Sequence, residues 1–138
     1  MAKKFTLKKA ERLKSRKSID RLFNAGESFF IYPFKVHYLI STGDGNNKVQ
    51  SLQAGVTVST RNFKKAVDRN RIKRITREAY RLQKDPLLQK LVDTKKNINI
   101  FFVYVSKEIS SFEQMHEKLR VILERLIQKA DEKNTANT

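Results

Sequence analysis

The stretch Lys64–Lys84, KKAVDRNRIKRITREAYRLQK, decides how the rest of the chain is read. At about 100° per residue, the α-helical step, Ile72, Ile75, Ala79 and Leu82 fall within an arc of roughly 80°. Asn70, Lys73, Arg74, Arg77, Arg81 and Lys84 fall within roughly 100° on the opposite side. One face is therefore built to dock on a core, and the other to hold cations in water. Cations at i,i+3 and i,i+4 spacing repel by a few tenths of a kcal/mol per pair, a cost that a bound polyanion reverses. Asp68 is a candidate N-cap for this helix, and Asp85-Pro86 ends it, because the residue before proline avoids the helical region.

Charge is distributed unevenly around this segment. The chain has 138 residues and a formal net charge of +16. Residues 1–21 carry nine Lys/Arg against Glu11 and Asp20, and residues 61–84 carry ten against Asp68 and Glu78, which leaves +1 for the other 93 residues. Concentration into two segments favours a defined binding surface for nucleic acid or another polyanion over a generally basic exterior. Arg dominates over Lys at the centre of the cationic arc, and the planar fork of arginine suits phosphate. Near the helix start, Asn70 sits between Arg69 and Arg71, where free backbone N–H groups also favour anions. This spacing alone allows either DNA or RNA.

The length provides for one domain with a modest core. We expect a basic N-terminal arm over residues 1–16, one domain over 17–130 and a polar tail over 131–138. Ser18 is positioned to cap a short helix, Ile19 to Asn24, that stops at Gly26. Alternation of Phe34, Val36, Tyr38 and Ile40 with Lys35, His37 and Leu39 indicates a half-buried strand. TGDGNN, Thr42 to Asn47, is a turn, followed by a second strand through Val49 to Ser59 with Leu52, Ala54, Val56 and Val58 on one face. These two strands are expected to pair as a hairpin.

Leu87, Leu88, Leu91 and Val92 suggest a short helical turn. Ile98 to Val105, apolar on both faces, reads as a central strand. Ser110 and Ser111, with Glu113 and Gln114 three residues on, offer two capping boxes for a final helix that runs to about Ala130. Its apolar stripe is Phe112, Met115, Leu119, Ile122 and Leu126. The order α-β-β-α-β-α indicates an α+β fold, with helices packed on one small sheet.

Several function classes find no support. There is no cysteine, so no disulfide and no thiolate metal site. His37 and His116 lie far apart, and no serine sits in a nucleophile-elbow setting. The acids are mostly single residues among lysines, unlike the convergent carboxylates of a protein-built metal nuclease. His37 reads equally as a base-stacking residue and as an ordinary half-exposed one. The N-terminus lacks the apolar core of a secretory signal, and no segment approaches the ~20 apolar residues of a membrane span, so a cytoplasmic protein is expected.

At Ala66–Arg74, AVDRNRIKR, the sequence resembles the bacterial ribonuclease P protein component, whose signature has the form A-V-x-R-N-R-x-K-R. GVTVS (Gly55 to Ser59) and ERLKSRKSIDRLFNAG (Glu11 to Gly26) match the same family, and the resemblance covers roughly residues 7–130. It implies a compact α/β sandwich with a small, mostly antiparallel sheet and a left-handed βαβ crossover. It also implies partnership with a catalytic RNA subunit, one protein per RNA, in a complex that removes the 5′ leader of precursor tRNA. The active site and its Mg²⁺ would belong to the RNA.

Carried over residue by residue, the resemblance places Arg69, Asn70, Arg71, Lys73, Arg74, Arg77 and Arg81 against the catalytic RNA. It places Ile19, Phe23, Lys35, His37, Thr57, Ser59 and Arg61 along a cleft for the leader. Such a cleft, with aromatic and cationic walls, suits an extended single strand. Neither DNA nor a membrane is an expected partner. Two positions depart from the family pattern: Ile19 stands where an aromatic is common, and the linker Thr60–Lys65 is one residue longer than usual and lacks a glycine. The alternative is a ribosomal or other structural RNA-binding protein without a role in cleavage.

Overall fold

Lys96–Tyr104, the last strand in the chain, takes the middle of the sheet. A computed structural model of the chain describes residues 16–42 and 52–136. The order of elements is α1 (Arg16–Ala25), β1 (Glu27–Ile31), β2 (Phe34–Thr42), β3 (Leu52–Val58), α2 (Ala66–Gln83), α3 (Asp85–Thr94), β4 (Lys96–Tyr104) and α4 (Phe112–Ala136). The strands form one sheet in the order β1-β2-β4-β3. β1 and β2 pair antiparallel, as do β2 and β4, whereas β3 and β4 are parallel and connected through α2 and α3.

The expected hairpin between Pro33–Ser41 and Val49–Ser59 does not form: β4 lies between β2 and β3. The reason is burial. β4 is apolar at most positions, and only a strand with a neighbour on each side can place such residues in the interior. The turn expected at Thr42 to Asn47 falls almost wholly outside the described residues, as does most of the N-terminal arm.

Alternate residues of β4 face two different layers. Ile98, Ile100, Phe102 and Tyr104 are buried, together with Phe34, Val36 and Tyr38 of β2 and Leu52, Ala54 and Val58 of β3. Against this face pack α2, through Ile72, Thr76, Ala79 and Tyr80, and α3, through Leu87 and Leu91. α4 covers the rest with Met115, Leu119, Ile122 and Leu126. Asn97, Asn99, Phe101 and Val103 point the other way and are only half-buried, because α1 covers that face in part.

Several local expectations are corrected. α1 runs from Arg16 to Ala25, so Ser18 lies within the helix and is not its cap. α2 begins at Ala66 with Lys65 as its N-cap, which moves Asp68 into the first turn. The apolar positions Leu82 and Phe112 are each 38% exposed, while Thr76 and Tyr80 join Ile72 and Ala79 in the core. Thr76 can do so because its hydroxyl donates to the Ile72 carbonyl at 2.8 Å. The leucine-rich segment after Pro86 is a complete ten-residue helix, α3. β1 was not foreseen.

Of the two candidate capping boxes, Ser111 and Gln114 form the real one. Gln114 N–H donates to Ser111 Oγ at 3.2 Å, and Ser111 N–H to Gln114 Oε1 at 3.0 Å. α4 continues through Ala136, past the expected fraying at Ala130. An ion pair between Lys90 and Asp131, 3.5 Å, ties this extension to α3.

Gly26 ends α1, though not by left-handed backbone. Its N–H donates to the Leu22 carbonyl at 2.8 Å. A Cβ at this position would stand 2.5 Å from both the Leu22 and the Tyr38 carbonyl oxygens. The glycine lets the end of α1 lie directly against β2.

Candidate nucleic-acid interface

The cationic face of α2 is rigid because the opposite face is locked into the core. Asn70, Arg71, Arg74 and Arg77 are exposed and Lys73 is half-buried. Among the described residues, no hydrogen bond or ion pair holds Arg71, Lys73, Arg74 or Arg77. Lys73, Arg74 and Arg77 thus stand on the cationic arc, and Arg71 lies about 60° beyond Arg74 at its border.

Arg69 and Arg81, at the ends of this face, differ from the middle. Arg69 Nη1 donates to the Phe63 carbonyl at 2.8 Å and the Lys64 carbonyl at 2.9 Å, bracing the segment that leads into α2. Arg81 pairs with Glu78, one turn back, through Nε to Oε1 at 3.2 Å and through Nη2 to Oε2. The N-cap Lys65 offers no side-chain acceptor to the first turn. Asp68 in the first turn offsets the positive end of the helix dipole, so attraction for an anion rests on the side-chain cations.

The second surface is the outward face of the sheet. Phe23 of α1 contacts His37 of β2, ring centroids 4.5 Å apart, and Phe101 of β4, at 5.5 Å. Ile19 lies one helical turn from Phe23, on the same side of α1. In register, His37 faces Phe101, which faces Gly55; in the next outward row Lys35 faces Val103, which faces Thr57. The histidine is held below its ordinary pKa, first by burial beneath α1 and second by the charge of Lys35. It is therefore a neutral ring at neutral pH.

A recess of about 440 Å³ opens where β3 and β4 end, lined by Ser59–Asn62 and Val103–Val105. Ser59 Oγ accepts from the Arg61 N–H at 3.0 Å, and Asn62 Nδ2 donates to the Val105 carbonyl at 3.4 Å. Phe63 plugs the linker into the core against Tyr104, at 6.1 Å. The second half of the glycine-free linker is thus anchored three times, by Asn62 on Val105, by the Phe63 ring in the core and by Arg69 on the Phe63 and Lys64 carbonyls.

The structure gathers Phe23, Lys35, His37, Thr57, Ser59 and Arg61 along one continuous face. Sequence reading missed Phe101 and Val103, which complete its floor. Their outward direction follows from the alternation in β4, but their neighbours follow only from the register. The apolar crevice between β3 and α2 encloses only about 20 Å³ and has no room for a ligand. Among the described residues, no three His, Cys, Asp or Glu side chains converge as a metal site requires. No described helix is long and apolar enough to cross a membrane.

An α+β scaffold with a free cationic helix on one side and a ring-lined groove on the other has the build of a nucleic-acid-binding protein. Comparison with known proteins gives the family. The model of the ribonuclease P family matches residues 7–127. The chain is 35% identical over 122 residues to the ribonuclease P protein component of Porphyromonas gingivalis, covering 88% of this chain and 87% of that one. It is 30% identical over 129 residues to that of Chlorobium phaeobacteroides, covering 88% of each. Among solved structures, the RNase P protein from Thermotoga maritima superposes with a TM-score of 0.62 at 26% identity, over 83% of this chain and 96% of that one. The chain belongs to the bacterial ribonuclease P protein family, the protein component of an endoribonuclease that matures tRNA 5′ ends.

Proposed function

We propose that this chain is the non-catalytic partner of a catalytic RNA, and that the two surfaces divide the work. Arg71, Lys73, Arg74 and Arg77, with Asn70, hold phosphates of the catalytic RNA. Arg69 and Arg81 flank that contact from their braced positions. The groove lined by Ile19, Phe23, Lys35, His37, Thr57, Ser59 and Arg61 holds the 5′ leader of precursor tRNA, with bases on the rings and phosphates beside the cations. Because mature tRNA lacks the leader, the groove distinguishes substrate from product. Mg²⁺ is assigned to the RNA, as the family resemblance implies; among the described residues no three His, Cys, Asp or Glu side chains converge. One protein per RNA, in the cytoplasm and without contact to DNA, completes the reading.

The separation of the free cations from the rings, on opposite sides of one sheet, carries this proposal. The test measures the affinity of wild type, Arg74→Ala and Phe23→Ala for the catalytic RNA. It also measures their affinity for precursor and mature tRNA with that RNA present. Arg74→Ala weakens catalytic-RNA binding by about 1–3 kcal/mol. Phe23→Ala spares that complex and weakens precursor binding by about 1–3 kcal/mol, the worth of one stacked base. Equal affinity of the wild-type complex for precursor and mature tRNA would reduce the chain to a structural RNA-binding protein. In single-turnover cleavage the protein alone is inactive, and in the complex it lowers the Mg²⁺ requirement.

A further inference from the structure

Two large rings stand in water beside the groove without a structural reason. Phe30, in β1, is 55% exposed, and Tyr32, in the turn between β1 and β2, is 57% exposed. Their centroids are 6.1 Å apart. β1 also carries Phe29 and Ile31, and both pack against the core. Alternation along the strand therefore turns Phe30 to the outward face. An exposed aromatic pair at a sheet edge forgoes the ~1.5–3 kcal/mol that burying such a ring provides, and adjacent exposed rings mark an interaction surface more often than a single one does.

Register fixes what this pair adjoins. Phe30 faces Lys35 across the β1–β2 ladder, and Lys35 faces Val103, which faces Thr57. One outward row thus crosses all four strands, from Phe30 at one edge to Thr57 at the other. The neighbouring row holds Ser28, His37, Phe101 and Gly55. No described strand places a carboxylate on this face; Glu27 points to the other side and accepts from Tyr38 Oη at 2.8 Å. Rings, a lysine between them and an acid-free floor fit a single-stranded polyanion with flat bases. They fit an acidic peptide less well, since that has no use for the rings.

The geometry points to Phe30 and Tyr32 as a second base-stacking platform, which takes leader nucleotides beyond those held by Phe23 and His37. This rests on the leader-binding reading above and extends it: the groove continues over β1 to the sheet edge. The site recognises length of single strand and stacking surface, with little sequence readout, because neither ring offers hydrogen bonds to base edges beyond the Tyr32 hydroxyl.

The experiment uses the full chain assembled with its catalytic RNA, and precursor tRNAs with leaders graded from about two to about twelve nucleotides. The double variant Phe30→Ala/Tyr32→Ala weakens long-leader precursors by about fivefold to 150-fold, and leaves the shortest leaders and mature tRNA unchanged. Phe30→Tyr with Tyr32→Phe keeps both rings and restores long-leader affinity. Phe23→Ala weakens short and long leaders alike. If the double variant loses its fold, as judged by circular dichroism, Tyr32→Ala alone replaces it, because that ring lies outside the strand ladder.

Wild-type affinity of the double variant at every length, with Phe23→Ala still impaired, overturns the platform and leaves the groove standing. So does a lowered melting temperature with unchanged binding, which would make the rings a structural pair. A concentration-dependent dimer that the double variant abolishes, with leader affinity unchanged, would assign the patch to a second copy of this chain. If Phe23→Ala has no effect on any precursor, the groove itself fails and the platform with it.

Discussion

The cationic face of α2 and the ring-lined face of the sheet both suit a phosphate chain, but they are built by opposite means. The helix face is local: its residues lie within a few turns of one another, and its scaffold is a stripe of apolar side chains pressed on a core. The sheet face is assembled from α1, β2, β3 and β4, elements up to eighty residues apart in sequence. Charge dominates the first, and stacking surface dominates the second. A surface made of charge binds any folded RNA and responds to salt. A surface made chiefly of rings requires unpaired bases, and its response to salt is limited to the phosphates that Lys35 and Arg61 meet. The difference suits a permanent partner on one side and a transient one on the other.

The largest effect expected from breaking this contrast comes from Arg71, Arg74 and Arg77 replaced together by Ala. Affinity for the catalytic RNA falls by roughly 3 kcal/mol or more, and the slope of log affinity against log salt falls by about three. Thermal stability stays the same or rises slightly, because the three cations repel one another and no described residue pairs with them. Filter binding across a salt series measures the slope, and an unchanged slope would remove these cations from the interface.

Next comes Gly26→Ala, which acts on the other surface alone. Its Cβ meets two backbone oxygens at 2.5 Å, so α1 must move away from β2. We expect about 1–3 kcal/mol of lost stability, a loss of preference for precursor over mature tRNA, and unchanged catalytic-RNA affinity. Thermal unfolding and the two binding assays test the three parts separately.

A smaller effect sharpens the contrast within the helix. Arg69→Lys loses the fork that reaches two carbonyls and costs about 1 kcal/mol in urea unfolding, whereas Arg74→Lys costs nothing measurable. The smallest effect concerns His37. Its NMR titration midpoint lies below the ordinary histidine value, and Lys35→Gln raises it only part of the way, since burial is the larger cause. The sign for stability follows. A depressed histidine pKa means that protonation disfavours the folded state, so stability falls as pH drops from the ordinary histidine value through the value in the fold. A midpoint unchanged by Lys35→Gln would contradict the proximity of the two side chains.

The same division explains what could be read from the sequence. The existence and C-terminal end of α2 were legible, because helical periodicity is a local property; its N-cap is Lys65 and not Asp68, and Asp85-Pro86 does not break the helical region but opens α3. Thr76 was not expected in the core, since its hydroxyl enters only because the Ile72 carbonyl accepts from it, and Tyr80 lies outside the apolar arc drawn from the sequence. The groove residues on α1, β2 and β3 came from family resemblance, and their assembly on one face needed the register. The hairpin expectation failed because turn chemistry at Thr42 to Asn47 reports a reversal of direction and says nothing about which strand fills the space between. β1 escaped notice because Glu27–Ile31 is too short, and too apolar at adjacent positions, to show alternation.

Placement of β4 at the centre has a consequence for how the protein is made. About seventy per cent of the chain precedes its first residue, Lys96, so during synthesis the sheet has no middle until that point is passed. Pairings between positions so far apart in sequence close slowly. α2 can coil, and its arginines can find RNA, while β2 and β3 still lack the strand that joins them. A chain that stops before β4 would therefore carry the arginines of α2 but lack Phe101 and Val103, the floor of the ring-lined face.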